Sequence, residues 1–552
     1  MSLKTYLLSA SAGLALVMGA SCAYAQGAAP LSGSVSSAEE GKMEGVLVSA
    51  KKDGGTVTTT VVTNDKGEFA FPAGRLDPGH YTLTIRAVGY DLDGKGEANI
   101  AGGQAAKADL KLKKTKTLAL QLNSAEWIMS APGAEPQKKF MEDCVGCHTV
   151  QRIFRSNHTA DEFMQIFHRM ASYSPGSVPT HPQPTVGTSQ RGFGSQERMQ
   201  AQSKWLETVN LASTTTWEYP LKTMPRAKGK ATHVIITEYD LPRPEAQPHD
   251  VVIGPDGMVW YSDFAQQYAG FMDPKTGKAT DIQLPLVKKG FPTGNLDLEP
   301  DKDGNMWLSG MYQTGVFKVD GKTHKVTHYP LPDAWQKDHT QESMVSAAYS
   351  NVDGKVWANN QDTREHYQLD VATGKWTSIG QMKDASGKLA NAYGMPVDQK
   401  NGLYLLDFGG QSIGHYDAET KKVTVHPTPS PGSRPRRGRV ADSGKLYFAE
   451  YGGDAIAMYD PKANSIKEWR IPVEYSAPYD AVANKDETEA WTASMLTDQV
   501  YRLDIKSGTY TSYPLPHTTN IRRVFVDSST KPNTLWVGNN HGAAIVKVEP
   551  LD

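Results

Sequence analysis

Cysteine is almost absent from this chain, with three in 552 residues, too few to staple a fold with disulfides. Neither sign of charge is in excess, with 58 Lys and Arg against 60 Asp and Glu. That balance gives no electrostatic reason for nucleic acid or an anionic membrane as partner. Beyond residue 25 there is no apolar run of about 18 residues, so no membrane span is expected. What the chain does carry is 50 glycines and 33 prolines, the punctuation of many short elements. At about 100–200 residues per domain, the length predicts three or four domains.

Residues 1–25 stand apart. Lys4 precedes an apolar run from Tyr6 to Ala20, and Ala23-Tyr24-Ala25 stands before Gln26. A basic start, an apolar core too short for a bilayer and an A-x-A site make a secretory signal peptide. The expectation is a periplasmic protein whose mature chain begins near Gln26, with Cys22 lost in the leader. Acylation of Cys22 as a lipoprotein is the weaker reading, because Gly19 stands three residues before it.

Three segments follow, and together they predict a mainly β protein: a β-sandwich at 30–116, a small α-helical segment at 124–215 and a β-propeller at 231–552. In the first, Val/Thr-rich runs such as Gly45–Ala50, Thr56–Thr63 and Tyr81–Ala87 alternate with Asp-Gly turns. Thr63-Asn64-Asp65-Lys66-Gly67-Glu68-Phe69 followed by Gly79-His80-Tyr81-Thr82-Leu83 resembles the carboxypeptidase regulatory-like domain. That resemblance implies a spacer or adhesive module without catalysis. In the second, helical patterns run over Glu135–Asp143, Asp161–Met170 and Gln196–Val209.

The third repeats. Trp260, Trp307, Trp357, Tyr404, Tyr447, Trp491 and Trp536 recur every 43–50 residues, most of them after a tight turn. Four short strands per period make a propeller blade, and seven anchors make seven blades. The phrase Ile236–Pro242 ends like a blade and precedes the first anchor. It is expected to supply the outer strand missing from the seventh blade.

Cys144-Val145-Gly146-Cys147-His148 is the attachment signature of c-type haem: two thiols for the porphyrin and the next imidazole for the iron. A zinc site would need a second cysteine pair, which the chain lacks. One covalent haem c is therefore expected, which makes the helical segment at 124–215 a small cytochrome c-like haem domain. Its sixth ligand is open among Met170, His168, Met164, Met199 and Met224, with Met170 preferred because it closes the helix after the motif. The Cys144–Met170 stretch resembles the haem domains of quinohaemoprotein amine dehydrogenases, which does not fix that ligand.

The run Pro248-His249-Asp250 through Trp260-Tyr261-Ser262-Asp263 resembles the repeat of virginiamycin B lyase, the streptogramin lyase family. That family opens a cyclic depsipeptide by elimination, with repeat histidines, glutamates and a magnesium ion. The resemblance implies a propeller, and a divalent cation such as magnesium in it. Residue by residue the carry-over is thin. His249 is present, but the equivalent neighbourhoods hold Asn295, Tyr393, Arg437, Tyr479 and Arg522. Three residues after the anchors, only Asp263, Asp407 and Glu450 are acidic.

The candidate catalytic residues are therefore His249, Asp263, Glu450 and Arg437, beside Arg436, Arg439, Arg522 and Arg523. Arginines suit a small anionic substrate through bidentate bonds. Acidic groups with a histidine suit a cation or a general base. The leading expectation is a c-type haem protein in electron transfer, an oxidoreductase or its electron-transfer component, partnered by a soluble periplasmic carrier or dehydrogenase. A streptogramin lyase-like carbon–oxygen lyase and a non-catalytic haem-bearing binding protein are the alternatives.

Overall fold

The computed structural model describes residues 29–186, 192–211, 217–336, 342–344 and 354–552. The expected signal peptide lies outside them. The fold is mainly β.

Six four-stranded antiparallel sheets follow one another along the chain from Pro248 to Pro514. A seventh is made of Ile521–Asp527, Thr534–Asn539 and Ala544–Pro550, completed on its outer edge by Val234–Asp240. These are blades 1 to 7. The first strands of blades 4, 5, 6 and 7 pack in succession, and that of blade 7, Ile521–Asp527, packs on that of blade 1, Pro248–Ile253. Blade 1 also meets blade 2 and blade 2 meets blade 3, while Asn359 Nδ2 donates to Ala392 O, 2.7 Å, between blades 3 and 4. The contacts thus run full circle, which makes the ring a propeller. Pairing of Val234–Asp240 with Ala544–Pro550 closes it as the blade-ending phrase predicts.

All seven anchors are buried, each with no more than 3% of its surface exposed. They pack between blades. Trp260 of blade 1, for example, joins Leu298, Met306, Leu308 and Phe317 of blade 2. The outermost turns rest on Asp273, Asp320, Asp370, Asp417, Asp460 and Asp504. Each of these carboxylates accepts backbone N–H groups two or three residues on, the local bonding that makes aspartate a turn residue.

The N-terminal segment is a β domain whose two sheets enclose Leu31, Val35, Val48, Phe69, Phe71, Tyr81 and Leu83. One sheet does not end at the domain boundary. Val57–Val62 pairs antiparallel with Val234–Asp240, so blade 7 and half of the sandwich form a continuous eight-stranded sheet. Arg86 reinforces the junction, donating to Leu515 O and His517 O and pairing with Asp498.

Between these β units lie the helices Ser124–Ser130, Glu135–Phe140, Gln151–Phe154, Ala160–Ala171 and Gln196–Val209. The second stops earlier than the sequence pattern suggests and passes into a 3-10 turn, Met141–Cys144. Capping boxes at Asn123/Glu126 and Thr159/Glu162 start two of them. Their apolar faces share one cluster with Tyr451, Tyr475, Tyr479, Met495 and Leu496 of blades 5 and 6. The helical segment is therefore seated on the propeller near its axis. Lys139 paired with Asp454, and Arg434 paired with Asp143, tie its margin down.

Because Ile236 is fully buried and its strand is paired on both edges, Ile236→Pro should cost at least about 3 kcal/mol. Calorimetry of the wild type should show sandwich and propeller unfolding together, with a split into two transitions in the variant. Two independent transitions in the wild type would contradict a mechanically continuous sheet.

Candidate functional site

Two adjoining cavities lie where the helices meet the propeller. The first is apolar. Cys144, Cys147, His148 and Met170 all face it, with Ile153, Phe163, Ile166, Phe167, Phe193 and Leu206 as its walls. Helical spacing explains the far wall, since Phe163, Ile166, Phe167 and Met170 fall on one face of Ala160–Ala171. The two thiols are not joined in a disulfide. His148 Nδ1 lies 2.9 Å from Thr149 O, a contact that fixes the proton on Nδ1 and leaves the Nε2 lone pair for a metal. Burial, the largest effect, and Arg152 hold this imidazole below its ordinary pKa, in the neutral form a ligand needs.

His168 is exposed, and it does not line this cavity. Met164 and Met199 only pack against the helical core. Met224 is engaged elsewhere by Asn123 Nδ2 and Gln499 Nε2. Of the sixth-ligand candidates, Met170 is the one in the cavity. Two thiols, a neutral imidazole and a thioether within apolar walls are a donor set that fits haem c.

The second cavity, about 360 Å³, lies over the propeller axis. It shares Asp143, Gly146 and Phe193 with the first, so the Cys-Val-Gly-Cys-His loop forms part of its wall. Phe264, Tyr393, Phe408, Arg434, Arg436, Tyr451, Met495 and Arg522 complete much of the rest. A larger hollow of about 1050 Å³ lies against the 223–231 connector and blade 6. It has none of these convergent groups, so the axial cavity is the candidate site.

Beneath it the repeat position of His249 does converge. His249 Nδ1 lies 2.5 Å from Asp250 Oδ1 and its Nε2 lies 3.0 Å from Tyr479 Oη. Tyr479 Oη in turn shares a 2.5 Å hydrogen bond with Tyr393 Oη. With a carboxylate on Nδ1, His249 accepts from Tyr479 at Nε2. Burial, then Arg522 and Arg437, hold this histidine well below its usual pKa, so it is neutral. Burial raises the Tyr393 phenol, but Arg437, Arg436 and the Tyr479 hydrogen bond outweigh it and leave the net pKa below the ordinary tyrosine value.

Deeper still, Arg523 sits among Asp250, Asp297, Glu299 and Asp480. Arg437 pairs with Asp297 as well. The Arg523 guanidinium is the cation that these four carboxylates meet. Among the described residues no group of three or more His, Cys, Asp or Glu side chains is arranged to hold a metal ion, so the donors present do not fit magnesium. These four carboxylates were not singled out from sequence, although Asp250 and Asp480 follow matched Pro-His and Pro-Tyr pairs.

Asp263 and Glu450 do not join this constellation. Asp263 ends the second strand of blade 1. There its Oδ1 accepts the N–H groups of Gln247, Ala265 and Gln266, and its Oδ2 meets Arg243 Nη1 at 2.6 Å. Asn360, Asp407, Ser494 and Asn539 cap the same turn in other blades. The recurrent polar residue three after the anchor is thus a turn cap. Glu450 occupies that position in blade 5, where Ser430 stands in place of Arg243. No N–H or cation reaches its carboxyl oxygens. Burial and the neighbouring Glu468 push its pKa up to about 9.

Residues 30–113 match the carboxypeptidase regulatory-like domain family. No curated protein matches the chain in sequence. Among solved structures, virginiamycin B lyase from Staphylococcus aureus aligns with 57% of this chain and 99% of its own, at 17% identity and a TM-score of 0.49. A streptogramin B lyase aligns with 58% and 99%, at 20% identity and a TM-score of 0.48. YCF48 bound to D1 peptide aligns with 57% and 97%, at 13% identity and a TM-score of 0.42.

Glu450 supplies a pH test of its structural role. Its folded-state pKa of about 9 lies above the ordinary 4.5, so unfolding at neutral pH releases a proton. Its contribution to stability is full below about pH 4.5 and is lost as pH rises toward 9. Glu450→Gln should therefore gain thermal stability over the wild type progressively between about pH 5 and 9. Parallel melting-temperature profiles for the two proteins would show that this carboxyl is not protonated in the fold.

Proposed function

We propose that this is an exported c-type haem protein that works in electron transfer, an oxidoreductase or its electron-transfer component, with its small substrate bound in the axial cavity. The observation that carries the reading is the shared wall: the loop bearing Cys144, Cys147 and His148 bounds both the apolar cavity and the axial one.

The cysteine sulfurs would hold the porphyrin as thioethers, with His148 Nε2 and Met170 Sδ as the iron ligands. The haem would supply reversible one-electron chemistry, at a potential that a methionine ligand raises relative to a second histidine. Phe163, Phe167 and Phe193 give this pocket apolar walls. On the axial side, Arg436 and Arg522 orient an anionic substrate. A proton that the substrate gives up meets a hydrogen-bonded path from Tyr393 Oη through Tyr479 Oη to His249 Nε2. A soluble periplasmic carrier or dehydrogenase exchanges the electron. Export accords with the leader-like residues 1–25. No helix among the described residues is long and apolar enough to cross a membrane.

The lyase alternative draws no support from the axis, where the carboxylates around Arg523 are paired with that guanidinium. A non-catalytic haem-bearing binding protein is the outcome if no substrate delivers electrons.

Expressed with the haem-attachment machinery, the wild type should give one covalent haem per chain in the pyridine haemochrome assay, and Cys144→Ala/Cys147→Ala should give none. Met170→His should lower the reduction potential and abolish the weak sulfur-to-iron charge-transfer band. Absence of covalent haem in the wild type would overturn the proposal. So would a panel of alcohols, amines, aldehydes and phenols that all fail to reduce the haem, for the oxidoreductase part alone.

A further inference from the structure

The arginines around the axis fall into two tiers. In the lower tier, Arg437 pairs with Asp297, Arg439 with Glu299, and Arg523 with Asp250, Asp297, Glu299 and Asp480. At the rim, Arg434 pairs with Asp143. Arg436 and Arg522 differ. Neither has a carboxylate within salt-bridge distance among the described residues. Arg522 is 3% exposed and donates only to the neutral oxygens of Asn520 and Gly146. The Arg436 Nε–H is shielded from water and has no acceptor, and its Nη1 reaches only Met495 Sδ at 3.4 Å.

A buried guanidinium without an anion is expensive. Aromatic faces offset part of that cost: Arg436 lies 3.9–5.2 Å from the ring centres of Tyr479, Phe408, Tyr451 and Tyr393, and Arg522 lies 4.3 Å from that of Phe264. Those rings cover guanidinium faces, while Arg522 Nη1 and Arg436 Nη2 keep no acceptor among the described residues. Both arginines line the 360 Å³ axial cavity, whose other walls include Phe140, Phe193, Phe264 and Phe408. That size suits one small ring compound. Tyr393 Oη marks the floor.

We propose that the axial cavity is a binding site for a small aromatic carboxylate, its carboxylate held by Arg436 and Arg522 and its ring packed among the phenylalanines. The site deepens the substrate half of the proposed function and does not depend on the haem half. Forked donors match a carboxylate in two parallel bonds, and a ring adds apolar burial that acetate cannot supply.

Calorimetric titration of the purified holoprotein with benzoate, acetate and benzyl alcohol tests this. Benzoate should bind, with acetate and benzyl alcohol each at least about tenfold weaker, and Arg436→Gln should weaken benzoate by about 10–100-fold. Because Arg522→Gln can disturb the 144–148 loop, Arg436→Lys is the second variant. It keeps the charge, loses the fork, and should recover only part of the affinity. Arg75→Gln, which breaks a pair with Glu549 far from the cavity, should bind as the wild type does. No benzoate binding, equal binding of benzyl alcohol, or an unchanged Arg436→Gln would overturn the proposal. A protein that binds benzoate but is reduced by no substrate keeps this site and loses the oxidoreductase reading. The converse result does the opposite.

Discussion

Two hydrogen bonds from blade 7 set the geometry on which the rest of the molecule depends. Asn520 Nδ2 donates to Val145 O at 3.1 Å, and Arg522 Nη2 donates to Gly146 O at 2.9 Å. The accepting carbonyls are those of the two residues between Cys144 and Cys147. A tight loop in a buried place cannot bond its own carbonyls, and unpaired buried carbonyls are costly. The start of blade 7 supplies the missing donors, so the spacing of the cysteines and His148 is fixed partly by the propeller. Arg522 is itself fixed, by Asn520 Oδ1 and by stacking on Phe264. A shift of that strand therefore moves both the loop and the wall of the axial cavity.

Blade 7 is also where the chain closes and where the N-terminal domain attaches. Val234–Asp240 completes the blade and then offers its free edge, which Val57–Val62 covers. An exposed edge on a closed ring is an aggregation risk, and here a second domain removes it. The helical segment leaves the sandwich, crosses the axial face and returns as the strand that closes the ring. All three segments thus converge on one blade, and the inner and outer ends of that blade do different work.

The propeller was legible because its signals repeat: seven aromatic anchors, their turns, and one phrase out of order at Ile236–Pro242. The axial register was legible in part. Aligning the repeats on His249 picks out Tyr393, Tyr479 and Arg522, which do meet. The strand register, however, puts Arg436 and not Arg437 at that position in blade 5, and Asn295 bonds the backbone of blade 1 instead. Asp263 and Glu450 were misread for a physical reason. A carboxylate at the turn after the anchor has the same sequence signature whether it accepts backbone N–H groups, as Asp263 does, stands buried without a donor, as Glu450 does, or serves a substrate. Only the surroundings tell these apart. The pairing of Val57–Val62 with Val234–Asp240 had no signature at all, because edge-to-edge pairing of two complete strands asks nothing special of either. The four carboxylates around Arg523 went unremarked because they come from different blades and mean little singly.

The two tiers of arginine differ in what meets their charge along one axis. In the lower tier every guanidinium meets a carboxylate, and removing either partner leaves a buried charge, the costly case. That tier pins the inner strands of several blades to one another. The upper tier has the same residue type on the same inner strands, but its charges face aromatic rings, neutral oxygens and a cavity. Arginines of one sequence run, Arg436 and Arg437, point into different tiers because alternate residues of a strand face opposite ways and a bulge between Pro435 and Gly438 shifts the register. The bulge is what frees Arg436 for the cavity while Arg437 stays in the core. Bulges at the equivalent point in blades 1, 4, 6 and 7 turn His249, Tyr393, Tyr479 and Arg522 toward the axis, where Tyr393 and Arg522 line the cavity and His249 and Tyr479 lie beneath it. The fold thus uses one irregularity, repeated around the ring, to turn inner-strand side chains toward the axis and the cavity beside the loop that carries Cys144, Cys147 and His148.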